Sequence, residues 1–204
     1  IAGPAFERLK KMEVNQLDTT LFINHGDRFE SVPLPMEVQL TPAFSVCVGD
    51  VDADGNDDLF FSQNFFAVRP EDPRNDAGTG LWLLGHGDGT FRALKPSESG
   101  VRVYGEQRGA ALADFDRDGR VDLVVTQNAA ATRLFRNQAE TKGVRVSFGG
   151  EGEGVQARLV YADGTKGPVR VVQSITQVLG AAKVAVAVEA AWPSARKTRE
   201  IGRA

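Results

Sequence analysis

The sequence predicts an all-β fold, and three observations lead there. Apolar runs of strand type are short, and 22 glycines supply the turns between them. The pattern D-x-D-x-D-G-x-x-D occurs twice, 64 positions apart, and each copy runs directly into a short apolar stretch. A hairpin pattern recurs out of phase with it. One repeat is therefore a loop, a buried strand, a connection and a hairpin, which amounts to a four-stranded antiparallel sheet.

Residues 1–16 read as an N-terminal extension or the remnant of a preceding repeat. Phe6, Leu9 and Met12 have the spacing of one or two helical turns. The first hairpin pattern follows, Leu21-Phe22-Ile23-Asn24-His25-Gly26-Asp27-Arg28-Phe29. Its second copy is Leu83-Leu84-Gly85-His86-Gly87-Asp88-Gly89-Thr90-Phe91, and Leu134-Phe135-Arg136-Asn137 is a truncated third. Each is a strand entering a tight Gly/Asp turn. His25 and His86 hold the same turn position, which assigns them to turn geometry rather than to acid–base chemistry.

The first acidic loop is Asp50-Val51-Asp52-Ala53-Asp54-Gly55-Asn56-Asp57-Asp58, and the second is Asp114-Phe115-Asp116-Arg117-Asp118-Gly119-Arg120-Val121-Asp122. Four aspartates at this spacing repel one another unless a cation sits among them. A hard ion such as Ca²⁺ takes roughly six to eight oxygens at about 2.3–2.6 Å, and glycine at position 6 allows the backbone to curl around it. The expected ligands are Asp50, Asp52, Asp54, the Asn56 carbonyl and Asp58 for one ion. For the other they are Asp114, Asp116, Asp118, the Arg120 carbonyl and Asp122. An EF-hand needs Glu at position 12 and flanking helices. Position 12 is Phe61 or Val125, inside the apolar runs Leu59-Phe60-Phe61 and Leu123-Val124-Val125, so these are strand–loop–strand sites.

Between the first buried strand and the second hairpin lies an insertion, residues 65–80, where the second repeat has only a short Ala-Ala-Ala-Thr connection. Long insertions are either functional loops or simple surface excursions. If functional, Arg69, Glu71, Asp72 and Arg74 are its ligand-binding candidates, with Glu106, Gln107 and Arg108 lining the same face. No nucleophile or acid–base pair stands out. Cys47 lies in the apolar strand Phe44–Gly49 as an inert thiol. Gly85–Gly89 and Gly149–Gly154 lack the Lys-Ser/Thr and the helix of a phosphate loop. Trp82, Trp192, Phe60 and Phe61 have strand positions that favour core packing over a sugar-stacking platform.

With these motifs in place, residues 17–138 resemble the FG-GAP/VCBS repeats of integrin-type β-propellers. The resemblance implies blades around a central channel, with calcium in the loop between the first two strands of each blade. A closed propeller needs four to eight blades, so the expectation is a C-terminal piece of a longer protein, or a propeller completed by another chain. After a short linker at 138–143, residues 139–204 carry strand-like segments at Val144–Phe148, Ala157–Tyr161, Val169–Val172 and Val184–Val188, with a hairpin turn at Asp163-Gly164. A Val-Arg-Val strand, a Gly-rich turn, Ala-Arg-Leu-Val and the tail Trp192-Pro193-Ser194-Ala195-Arg196 are similar to the ASPIC/UnbV domain, which implies a small β-sandwich-like unit. The family's G-x-G-A turn is here Gly154-Val155-Gln156-Ala157, and its middle is shortened to Gln173–Gly180.

The formal charge of −3 and the lack of a polybasic run exclude nucleic acid and anionic membranes as partners. Two bound Ca²⁺ would bring that charge to about +1. No apolar run is long enough to span a membrane. Ile1 follows no leader, which reads as a processed or shortened chain. A single cysteine excludes an internal disulfide. Loops of this kind need the high calcium outside the cytosol, and the ASPIC/UnbV resemblance points to a secreted, periplasmic or cell-surface bacterial protein. The expected function is a non-catalytic, calcium-stabilised module for adhesion or ligand binding, with a protein or glycan partner. Two other classes remain open: part of a secreted polysaccharide-acting enzyme, or a carbohydrate-binding module.

Overall fold

A computed structural model describes Lys10, residues 12–148, 154–193 and the backbone of 199–201. The expected helical turn at Phe6–Met12, the Gly149–Gly154 turn except its last residue, and most of the Trp192–Arg196 tail lie outside the described residues.

Up to Phe135 the chain forms antiparallel sheets laid down in sequence order. Strands β1 (Thr20–Asn24) and β2 (Phe29–Pro33) make a two-stranded hairpin. After a single helical turn, α1 (Met36–Gln39), come β3 (Ala43–Gly49), β4 (Asp58–Gln63), β5 (Leu81–Gly85) and β6 (Phe91–Ala93), paired in that order as one four-stranded sheet. A second short helix, α2 (Pro96–Ser99), leads into β7 (Gln107–Ala113), β8 (Asp122–Gln127) and β9 (Ala130–Phe135), again paired in order. This is a blade-like arrangement, all-β with strand order equal to chain order. The second blade stops at three strands. The Ala-Ala-Ala-Thr stretch read as a connection belongs mostly to β9, because the turn is completed at Asn128-Ala129, where Ala129 has φ +55°.

Packing explains the layering. All six residues of β4 are buried, since both of its faces meet neighbours. Leu59 and Phe61 point toward Leu81 and Leu83, with Leu34, Val38 and Leu21 covering them from the N-terminal side. Phe60 points the other way and joins Trp82, Val101, Val103, Leu123 and Val125 in a core shared by both blades. The Phe60 and Trp82 rings lie 5.2 Å apart. The inner strands are joined directly: the Ala110 N–H donates to Ser45 Oγ at 3.2 Å.

The C-terminal region has two sheets over one core. Strands β10 (Val144–Ser147) and β13 (Thr176–Leu179) form one. The other runs in the order β12 (Arg170–Val171), β11 (Gln156–Tyr161), β14 (Ala185–Ala191) and β15 (Arg199–Ile201). Val146, Phe148, Val155, Leu159, Val172 and Val188 fill the space between them. Asp163-Gly164 makes the turn after β11, with Gly164 at φ +80° and Asp163 Oδ1 accepting the Thr165 N–H at 2.9 Å. Strand β13 lies within Gln173–Gly180, a stretch without the alternation that marks a strand.

Candidate metal centres

Each acidic loop bridges the first two strands of its blade, β3–β4 and β7–β8. The two share the same main frame of hydrogen bonds. Asp50 Oδ1 accepts the Asp54 N–H at 3.0 Å and Asp50 Oδ2 accepts the Gly55 N–H at 2.9 Å. Asp114 accepts from Asp118 at 2.9 Å and from Gly119 at 3.2 Å. At the far end, Asp58 Oδ2 accepts the Val51 N–H at 2.7 Å, and Asp122 Oδ2 accepts the Phe115 N–H at 2.9 Å. The position-6 glycines have φ +98° and +86°. Position 4 is also left-handed, Ala53 at +60° and Arg117 at +65°. Both loops hold this unfavourable conformation at a non-glycine residue, which costs about 1–2 kcal/mol and persists only when the surroundings impose it.

The curl brings carboxylates together. In the first loop, oxygens of Asp50, Asp52 and Asp58 all lie within 4.8 Å of one another, and in the second those of Asp114, Asp116 and Asp122 do. Oxygens that share one Ca²⁺ at about 2.4 Å must lie within about 5 Å of each other, so the residues present fit such an ion. Position 5 is placed differently. Asp54 turns its oxygens to the Asn56 backbone N–H at 2.7 Å and side-chain amide at 3.0 Å. Asp118 accepts the Arg120 N–H at 3.0 Å and pairs with the Arg120 guanidinium at 2.5 Å.

Burial makes the first cluster electrostatically tense. It pushes the Asp58 carboxyl up to about 7, against the two backbone N–H bonds from Gly85 and Val51 that pull it down. It pushes Asp50 up to about 6, opposed by the Arg170 guanidinium, and it also raises Asp52. Carboxyls that resist ionising together are a site that a divalent cation relieves.

Arg170 and Arg145 were not legible as site residues. Arg170, on β12, reaches Asp50 at 3.5 Å, Asp57 at 2.9 Å and the Gly55 carbonyl at 3.2 Å. Arg145, on β10, lies 3.4 Å from Asp114. No spacing rule flags a contact between residues 120 positions apart. Gly180 packs so closely on Asp50 that a Cβ there would meet its Oδ2 at 1.5 Å.

The insertion is tied down at its base. Phe65 and Asn75 exchange backbone hydrogen bonds at 2.9 and 3.1 Å. Buried Glu106 accepts the Phe66 N–H at 2.9 Å, the Arg108 guanidinium at 2.6 Å and the Asn128 amide at 2.6 Å. Arg108 then stands 4.0 Å over the Phe44 ring and 5.7 Å from that of Phe65. Arg69, Glu71, Asp72 and Arg74 are all exposed, and Arg74 covers the Phe66 ring at 4.1 Å. Arg108→Ala is expected to speed proteolytic cleavage within 65–80 several-fold, because it removes a cation–π contact worth about 1 kcal/mol and the Glu106 pair with it. Unchanged cleavage would mean that the backbone pairing alone holds the loop.

His25 and His86 sit in their turns. The ring of the first faces Glu30 at 2.7 Å, and the backbone N–H of the second donates to Thr90. Trp82, Phe60 and Phe61 are buried, which leaves no sugar platform there. The Cys47 thiol is half-buried, and burial pushes its pKa up.

Residues 65–125 match the FG-GAP-like repeat. The FG-GAP-like stretch runs from the insertion through the β5–β6 hairpin and the whole second acidic loop. Cartilage acidic protein 1 of Xenopus tropicalis is 42% identical over 69 residues, which is 34% of this chain and 10% of that protein. The chain thus spans about a tenth of that relative's length. No helix among the described residues is long and apolar enough to cross a membrane.

Proposed function

We propose that this chain is a calcium-stabilised, non-catalytic portion of an extracytoplasmic adhesion or ligand-binding protein. Its blades belong to an incomplete propeller, and its C-terminal sheets are an ASPIC/UnbV-like unit. The observation that carries the reading is the duplication of the acidic loop. Two loops with the same hydrogen-bond frame each bring three carboxylates within reach of one ion. The relative named for cartilage supports an extracellular setting. The ion's role is structural: it neutralises crowded carboxylates and pins the turn joining two strands, so binding free energy becomes folding free energy. The partner, a protein or a glycan, meets the exposed side of the 65–80 insertion through Arg69, Glu71, Asp72 and Arg74.

Equilibrium dialysis of the chelated protein against ⁴⁵Ca²⁺ tests the metal reading. Two ions per chain are expected, falling to one in Asp52→Ala. Zero in the parent protein, or no loss in the variant, would contradict it.

A further inference from the structure

The two loops share a motif but not an electrostatic environment. In the first, five carboxylates (Asp50, Asp52, Asp54, Asp57 and Asp58) stand with one guanidinium, that of Arg170, which pairs with Asp50 and Asp57. In the second, four carboxylates stand with three guanidiniums, each paired with a different one. Arg145 faces Asp114, Arg136 pairs with Asp116 and Arg120 with Asp118. Asp114 and the Arg120 side chain are 3% and 19% exposed, so these charges are only partly screened. Arg92, the other cation felt at Asp52, is itself paired with Glu98 at 2.9 Å. Arg170 itself is not fully satisfied by the loop. Its side chain is 9% exposed and aimed at Asp50, yet its Nε is buried with no hydrogen-bond partner among the described residues.

We propose that the loops are unequal cation sites: residues 50–58 form the tight one, and residues 114–122 form a weak one whose shape is held by built-in arginine counter-charges. The inference rests on the calcium reading above and adds a ranking to it. A guanidinium already on a ligand carboxylate must be displaced or tolerated by the incoming ion, and like charges within several ångströms oppose each other strongly at low dielectric. Arg136 and Arg120 come from the repeat itself, whereas Arg145 comes from β10. The C-terminal sheets place one guanidinium on each loop, Arg170 on Asp50 and Arg145 on Asp114. It is therefore Arg136 and Arg120 that set the second loop apart, and by linkage an ion in either loop weakens the contact with those sheets.

Isothermal titration of the chelated chain with CaCl₂ decides the matter. Two classes of site are expected, separated by roughly tenfold or more in affinity. Asp52→Ala should remove the tight class and Asp116→Ala the weak one. Arg145→Gln combined with Arg136→Gln should tighten the weak class roughly tenfold, whereas Arg145→Lys with Arg136→Lys, which keep the charge, should leave it near the parent value. Two equal classes, or loss of the tighter class in Asp116→Ala, would overturn the ranking while leaving calcium binding intact. No binding by the parent chain would overturn both. Arg145 and Arg136 are exposed enough for these variants to fold, and far-UV circular dichroism checks that they do.

Discussion

Asp122→Ala is expected to lower the melting temperature by roughly 10 °C in chelator, before any metal effect is counted. The carboxylate is 2% exposed, and its two oxygens accept the Phe115 N–H at 2.9 Å and the Asn137 N–H at 2.8 Å. Alanine leaves both part-buried donors without that partner, at about 1–3 kcal/mol each. In a chain of this size 1 kcal/mol moves the midpoint by about 2–4 °C. Asp116→Ala is the control. Asp116 belongs to the same cluster, but its side chain is 23% exposed and its partner Arg136 is 62% exposed. Such a pair contributes under about 1 kcal/mol, so this variant should melt with the parent in chelator and separate from it only in calcium. Equal losses for both variants in chelator would mean that Asp122 is not a structural clamp.

The second large effect is a stability–pH profile that reverses sign with calcium. Burial raises the folded-state carboxyl of Asp58 to about 7 and of Asp50 to about 6, above the ordinary 3.8. A carboxyl raised in the folded state favours folding fully below its unfolded pKa, and the gain is lost as pH rises through the folded value. The chelated chain should therefore melt higher at pH 5.5 than at pH 8, by on the order of 3 kcal/mol or roughly 10 °C. Bound calcium removes the penalty on the ionised form, and protons then compete with the ion. In excess CaCl₂ the order should invert, with pH 8 above pH 5.5. Parallel profiles with and without calcium would show that the ion does not engage these carboxyls. Melts at four pH values in each buffer are sufficient.

The loops were legible because metal geometry leaves little freedom. Carboxylates at positions 1, 3, 5 and 9 are expected to converge, those at 1, 3 and 9 do come together, and a left-handed glycine at position 6 lets the chain turn tightly enough. Strand order followed from the same repeats, since a buried strand after each loop and a hairpin after it can pair only with chain neighbours. Three things were not legible. The first half of the Ala130–Phe135 strand, Ala-Ala-Thr, is small and exposed and shows no alternation of burial to read, so only its end at Leu134-Phe135 was visible as the truncated third hairpin pattern. It is a strand because β8 pairs with it. The arginines on the loops depend on how β10 and β12 dock, and docking is a tertiary event with no local signature. The role of position 5 was also hidden. Asp54 and Asp118 have ligand spacing, yet their oxygens are taken by Asn56 and Arg120.

The most direct measurement is a thermal melt of the chelated chain against added CaCl₂, with MgCl₂ as the control at equal ionic strength. Occupancy at a hundred times the dissociation constant adds about 2.7 kcal/mol per site, so calcium should raise the midpoint by roughly 5–10 °C per site and saturate. Magnesium, which demands a tighter octahedral shell and keeps its waters, should do much less. A midpoint that moves equally with both ions, or with neither, would contradict a calcium-stabilised fold.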